Sequence, residues 1–220
     1  MINTAVEQAR FNMIEQQVRP WNVLDGDVLQ LLSAVKREEF VPTAHKGIAF
    51  ADLEVPLGHG QVMLAPRLEA RLLQDLAVKK TDKVLEIGTG SGFMAALLGA
   101  QAQRVLSLEL VPELVTLARD NLQRAGVGNV DVRQADGSQG AAADGPFDVI
   151  LLSGSVAVVP PALLQQLKVG GRLAAIVGDE PVMCATIITR HSETDFRTAQ
   201  PWDTIAPRLQ NFAEPSRFSF

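Results

Sequence analysis

The chain has 220 residues, 47% of them hydrophobic, with 20 Lys and Arg against 25 Asp and Glu; this suits one large domain with a substantial core and excludes two ordinary enzyme domains. A net charge of -5 with no basic run leaves no electrostatic footprint for a binder of nucleic acid or anionic membrane. The single cysteine, Cys184, has no internal disulfide partner, and three histidines without a Cys/His cluster offer no metal cage, so a cytoplasmic, metal-free protein is expected.

The amino terminus is polar and lacks the apolar centre of a signal peptide. The longest apolar stretches, 95–100 and 149–152, fall far short of the roughly 20 residues that span a bilayer. Residues 4–18 carry Val6, Phe11, Ile14 and Val18, and residues 27–36 carry Val28, Leu31, Leu32 and Val35, which predicts two amphipathic helices separated at Pro20. The Gly-, Pro- and His-bearing stretch that follows, through Gly58-His59-Gly60, reads as a long loop or short edge strands. Pro66 should open a helix with Leu68, Leu72, Leu73 and Leu76 on one face.

From residue 82 short apolar runs alternate with helical segments, the pattern of a parallel sheet covered on both faces. Strands are expected at about 83–87, 104–109, 130–134, 147–152 and 171–177, with helices near 92–101, 112–124 and 160–167. Beyond residue 181, segments 182–189 and 196–205 should add an antiparallel pair at one edge. The expected fold is α/β, a doubly wound, Rossmann-like, mostly parallel sheet with an amino-terminal helical extension and an antiparallel carboxyl-terminal edge. It is expected as one domain over 1–220, divided into extension (1–80), cofactor-binding core (81–180) and edge strands (181–220).

The strongest signal is Val84-Leu85-Glu86-Ile87-Gly88-Thr89-Gly90-Ser91-Gly92-Phe93, an apolar strand running through three glycines into a helix. Such a turn lets a ligand approach the backbone closely. Glu109 lies 21 residues beyond Gly88 at the end of the next strand, where a carboxylate can accept both hydroxyls of a ribose. A dinucleotide site would call for G-x-G-x-x-G, whereas Phe93 follows Gly92 directly here. Glu86 suits a ligand carrying an ammonium and a sulfonium, as S-adenosyl-L-methionine does. Asp136-Gly137 follows the third strand on the same rim, where an aspartate can accept an adenine amino group. Glu86, Gly88, Thr89, Gly90, Gly92, Glu109, Leu110, Asp136 and Gly137 are therefore the expected cofactor-binding residues.

Several segments together resemble the class I S-adenosylmethionine-dependent methyltransferases and, within them, the protein-L-isoaspartate O-methyltransferase family. They are Val35-Lys36-Arg37-Glu38-Glu39-Phe40-Val41-Pro42, Ala49-Phe50-Ala51-Asp52, Pro56-Leu57-Gly58-His59-Gly60-Gln61, the glycine turn, Leu108-Glu109-Leu110-Val111-Pro112 and Lys168-Val169-Gly170-Gly171-Arg172-Leu173. The resemblance implies transfer of a methyl group to the carboxylate of damaged aspartyl residues in a protein or peptide. No nucleic-acid or membrane partner is expected, and the oligomeric state is open. An acceptor with a pKa of about 4 is already ionised at neutral pH, so no general base is required. The chain departs from the family after Gln61: a Thr and a Ser are typical there, but Val62 and Leu64 stand in their places. No catalytic side chain is assigned, and His59, Gln61, Ser153 and Ser155, along with the backbone N–H groups of the 58–65 loop, are the candidates to supply the missing hydrogen bond, with Leu64 lining the substrate loop. Alternatives left open are a diverged relative with a different acceptor and a non-catalytic S-adenosylmethionine-binding module.

Overall fold

The computed structural model describes residues 4–214. Helix α1 (Thr4–Met13) runs on through a π-helical turn to Val18, and α2 (Gly26–Ala34) starts at Asp25, whose carboxylate accepts the Asp27 and Val28 amides. That side chain satisfies two of the amides a helix start leaves unpaired. The Gly-rich stretch folds into its own hairpin, β1 (Val55–Gly58) and β2 (Gln61–Met63), separate from the main sheet. Helix α3 (Pro66–Leu76) follows, with Leu68, Leu72, Leu73 and Leu76 all buried, as its spacing predicts.

The main sheet has seven strands: β3 (Lys83–Ile87), β4 (Arg104–Glu109), β5 (Val130–Gln134), β6 (Phe147–Val156), β7 (Leu167–Asp179), β8 (Val182–Arg190) and β9 (Phe196–Asp203). Their spatial order is β5-β4-β3-β6-β7-β8-β9, parallel from β5 to β7 and antiparallel beyond. The strand order reverses between β3 and β6, and the carboxyl ends of strands at such a point form a crevice. Helices α4 (Phe93–Gln101) and α5 (Pro112–Arg124) connect the first strands. From Phe93 to Gly99 every residue of α4 is buried, because α2 and α3 pack over the side turned away from the sheet. The amino-terminal helices are thus a second layer over the core.

Three expectations need correction. The helix expected over 160–167 is only α6 (Pro161–Leu164); the Phe147 amide donates to the Gln166 carbonyl at 2.8 Å and draws that residue into the sheet. Strand β6 continues past residue 152 through an irregularity between Leu151 and Ser155 before pairing resumes with β7. Cys184, in an apolar strand whose sequence alone reads as placing it in the core as a small hydrophobe, is half-exposed, with Sγ 3.1 Å from Asp203 Oδ1 on β9. Among the described residues no helix is long and apolar enough to cross a membrane, and no group of three or more His, Cys, Asp or Glu is placed to hold a metal.

Candidate active site

The reversal point holds a cleft lined by Gly88, Glu109, Asp136 and Gly137 together with Ile87 and Leu110. The topology brings these residues to one rim because β3, β4 and β5 are adjacent and parallel. Gly88 has φ +94°, and a Cβ there would sit 3.0 Å from Leu209 and 3.5 Å from the Ser153 carbonyl, so only glycine leaves this wall open. The other glycines serve differently. Gly92 lies against Ala118 of α5, and a side chain on Gly137 would collide with Ile87, so both set the packing beneath the rim.

Glu109 accepts the Gly90 amide at 2.8 Å on one oxygen and the Val111 amide at 3.0 Å on the other. A carboxylate has about four acceptor positions, so two remain for a diol. Asp136 accepts the Ser138 amide at 2.9 Å and the Asn211 side-chain amide at 2.9 Å. The Ser138 backbone bond, with help from Asn211, holds its carboxyl below the usual range, so it stays an acceptor. Acceptors spaced along an apolar groove fit the ribose and adenine of S-adenosyl-L-methionine.

A second, smaller cavity adjoins the first at Gly88. Val62, Leu64 and Met94 make it largely apolar, and Glu69, Thr89 and Ser153 also line it. Glu86, expected to face the cationic end of the cofactor, is instead fully buried and lines neither cleft. Its carboxyl contacts Ser107 Oγ at 2.6 Å and Ser153 Oγ at 2.9 Å, and Ser107 in turn contacts Thr89 Oγ1 at 2.6 Å. Burial, reinforced by the Glu69 and Glu109 charges, pushes Glu86 up to about 8 against the pull of the two hydroxyls. Glu69 is likewise raised by burial, to about 7, despite its pairing with fully buried Arg37.

The four side-chain candidates for the missing hydrogen bond are separated by the fold. His59 is exposed at the hairpin tip with φ 54°, and Gln61 lines the larger cleft. Ser155 is fully buried, with its hydroxyl unpartnered. Ser153 alone reaches the smaller cavity. Sequence reasoning missed the tail: Leu209, Gln210 and Phe212 line the larger cleft, held there by bonds from the Ser155 amide to the Pro207 carbonyl at 2.7 Å and from the Leu209 amide to the Ser155 carbonyl at 2.9 Å. No motif marks that segment, because its place depends on a bridge to β6 between residues 53 apart. Arg37 was also missed as a buried ion; it donates to the Leu64 carbonyl at 2.7 Å and to the Ala49 carbonyl at 3.0 Å, fixing the wall of the smaller cavity.

Residues 8–202 match the family described as protein-L-isoaspartate(D-aspartate) O-methyltransferase. The chain is 40% identical over 207 residues to the protein-L-isoaspartate O-methyltransferase of Koribacter versatilis, covering 94% of this chain and 92% of that one. It is 41% identical to protein-L-isoaspartate O-methyltransferase 2 of Marinobacter nauticus, over 87% and 88% of the two chains. In fold it is similar to a Plasmodium falciparum protein assigned to the same activity and solved with S-adenosyl-L-homocysteine, with a TM-score of 0.78, 21% identity and coverage of 93% and 97%.

Proposed function

This chain belongs to the protein-L-isoaspartate(D-aspartate) O-methyltransferase family, and from that premise we propose how its two cavities divide the reaction. The chain is an S-adenosyl-L-methionine-dependent carboxyl O-methyltransferase acting on isoaspartyl residues. Its acceptors are damaged proteins and peptides, met in the cytoplasm. One observation carries the division of labour: the larger cleft and the smaller cavity meet at Gly88, so a ligand lying along the first can present one end to the second.

In this reading Glu109 holds the ribose, Asp136 with Gly137 holds the adenine, and the turn from Gly88 to Gly92, with Thr89, Gly90 and Leu110, receives the remainder. Leu209 and Phe212 close the groove from the tail. The bound cofactor supplies a sulfonium methyl group for in-line transfer. The protein orients an already ionised carboxylate and strips it of water, contributions that need no titrating base. Val62, Leu64 and Met94 provide the dry wall. The described chain works as one domain, with residues 4–80 covering the acceptor side, 81–180 holding the cofactor and 181–214 closing the edge; the ends of the expected 1–80 and 181–220 spans lie outside the described residues.

The test is transfer of label from S-adenosyl-L-methionine to matched peptides containing isoaspartate or normal aspartate. Base-labile label on the isoaspartyl peptide alone is expected. Cofactor binding without transfer to that peptide would overturn the acceptor assignment and favour a different acceptor, the reading to which Val62 and Leu64 lend weight, or a non-catalytic S-adenosylmethionine-binding module.

A further inference from the structure

With Val62 and Leu64 in its wall the acceptor cavity has few polar groups, and their individual commitments can be followed. Glu69 is engaged by Arg37. Thr89 is 4% exposed and its hydroxyl contacts Ser107. Ser91 is 3% exposed and its oxygen accepts the Phe93 amide at 3.4 Å. Ser153 is half-exposed, placed there by the irregularity in β6 that interrupts regular pairing between Leu151 and Ser155. It is the accessible hydroxyl among the described residues lining this cavity.

We propose that Ser153, seated on Glu86, is the hydroxyl that hydrogen-bonds the acceptor carboxylate, taking over the role of the residues replaced by Val62 and Leu64. The proposal rests on the isoaspartyl reading above and names the side chain that carries it.

A serine hydroxyl has one proton to give. If Glu86 is ionised, Ser153 spends that proton on Glu86 and turns only lone pairs toward the cavity, which repel a carboxylate. Ser153 and Ser107 each donate to one oxygen of Glu86; in a neutral Glu86 that keeps the Ser107 bond, the proton sits on the other oxygen, the Ser153 bond reverses, and the Ser153 proton is free for the acceptor. The charged groups around Glu86 are Glu69 of α3, paired with Arg37, and Glu109 at the end of β4; Ser107 of β4 and Ser153 of β6 are its hydrogen-bond partners. Burial and two acidic neighbours favour the neutral form. Glu86 is therefore a positioning residue, and Ser153 is the group that touches substrate.

The experiment measures isoaspartyl-peptide KM and kcat for Ser153→Ala, Ser153→Thr and Glu86→Gln, with calorimetric S-adenosyl-L-methionine affinity and circular dichroism on each. Ser153→Ala should raise peptide KM roughly tenfold to hundredfold, the usual loss when a polar substrate group is left unpaired, with cofactor affinity unchanged. Ser153→Thr, which keeps the hydroxyl, should restore most of it. In the wild type kcat/KM for the peptide should fall between about pH 7 and pH 9 as Glu86 ionises. Glu86→Gln, whose amide donates to Ser153 at every pH, should lose that fall. An unchanged KM in folded Ser153→Ala, or identical pH profiles for wild type and Glu86→Gln, would overturn the assignment. A wild type that binds cofactor yet labels no isoaspartyl peptide would overturn the acceptor reading itself and this inference with it.

Discussion

Asn211 donates its side-chain amide to the Asp136 carboxylate at 2.9 Å, so the carboxyl-terminal tail is bound to the rim expected to receive adenine. The neighbours of Asn211 complete the wall: Leu209 packs against Gly88 and Gly154, and Phe212 is 9% exposed in the cleft. Phe212→Ala should therefore weaken S-adenosyl-L-methionine binding about tenfold, near 1.4 kcal/mol, by opening an apolar wall to water. Titration calorimetry checks this, and equal affinity in a folded variant would remove the tail from the site.

Glu109 is held by two backbone amides, so its carboxylate is aimed before any ligand arrives. Glu109→Gln keeps the shape but replaces one acceptor oxygen with a donor and removes the charge. Cofactor affinity should drop by about 1.5–3 kcal/mol, the range for hydrogen bonds to a charged group. Retained affinity would overturn the ribose assignment.

Much of this site was legible in the sequence because its parts are local. Gly88, Glu109 and Asp136 each end a strand, and parallel pairing of neighbouring strands places such ends on one rim. What escaped depends on distant pairing. The tail reaches the cleft only through its bridge from Arg208 to Ser155, and Ser153 is separated from Ser155 by an irregularity that strand alternation does not foretell. Arg37 is similar: a charged residue beside a helix reads as solvent-facing until Glu69, 32 positions later, is packed against it.

The raised carboxyls make stability depend on pH in a definite sense. Glu86 is held near 8 and Glu69 near 7, both above the ordinary 4.5. As pH rises through that interval the unfolded chain gives up these protons first, so the folded state binds more protons and loses stability. The contribution is fully present below the ordinary value and gone once pH passes the folded one. Unfolding midpoints should thus show a downward component between about pH 5 and pH 8, smaller in Glu86→Gln. Identical slopes for wild type and variant, measured by thermal melts in matched buffers, would contradict burial of a protonated Glu86.

Arg37 ties three segments together through Ala49, Leu64 and Glu69, and its guanidinium lies 5.1 Å from the centre of the Phe93 ring. Removing one member of a buried ion pair strands the other. Arg37→Met should cost about 3–5 kcal/mol in urea unfolding, and the double variant Arg37→Met with Glu69→Leu should recover part of it. Additive losses in the double variant would show that the two side chains are not coupled.

Leu64→Ser tests the cavity from its opposite wall. Leu64 is 5% exposed and lines the smaller cavity with Ser153, so exchange for serine puts a second donor beside the acceptor carboxylate while deleting buried apolar volume. The two effects separate by assay. Unfolding free energy should fall by about 2–4 kcal/mol from the lost packing, whereas KM for an isoaspartyl peptide should fall, and the same change should rescue much of the KM defect of Ser153→Ala. Rescue requires that both hydroxyls address one carboxylate across one cavity. If Leu64→Ser folds, binds cofactor and yet leaves the Ser153→Ala defect untouched, the two walls do not serve the same substrate group.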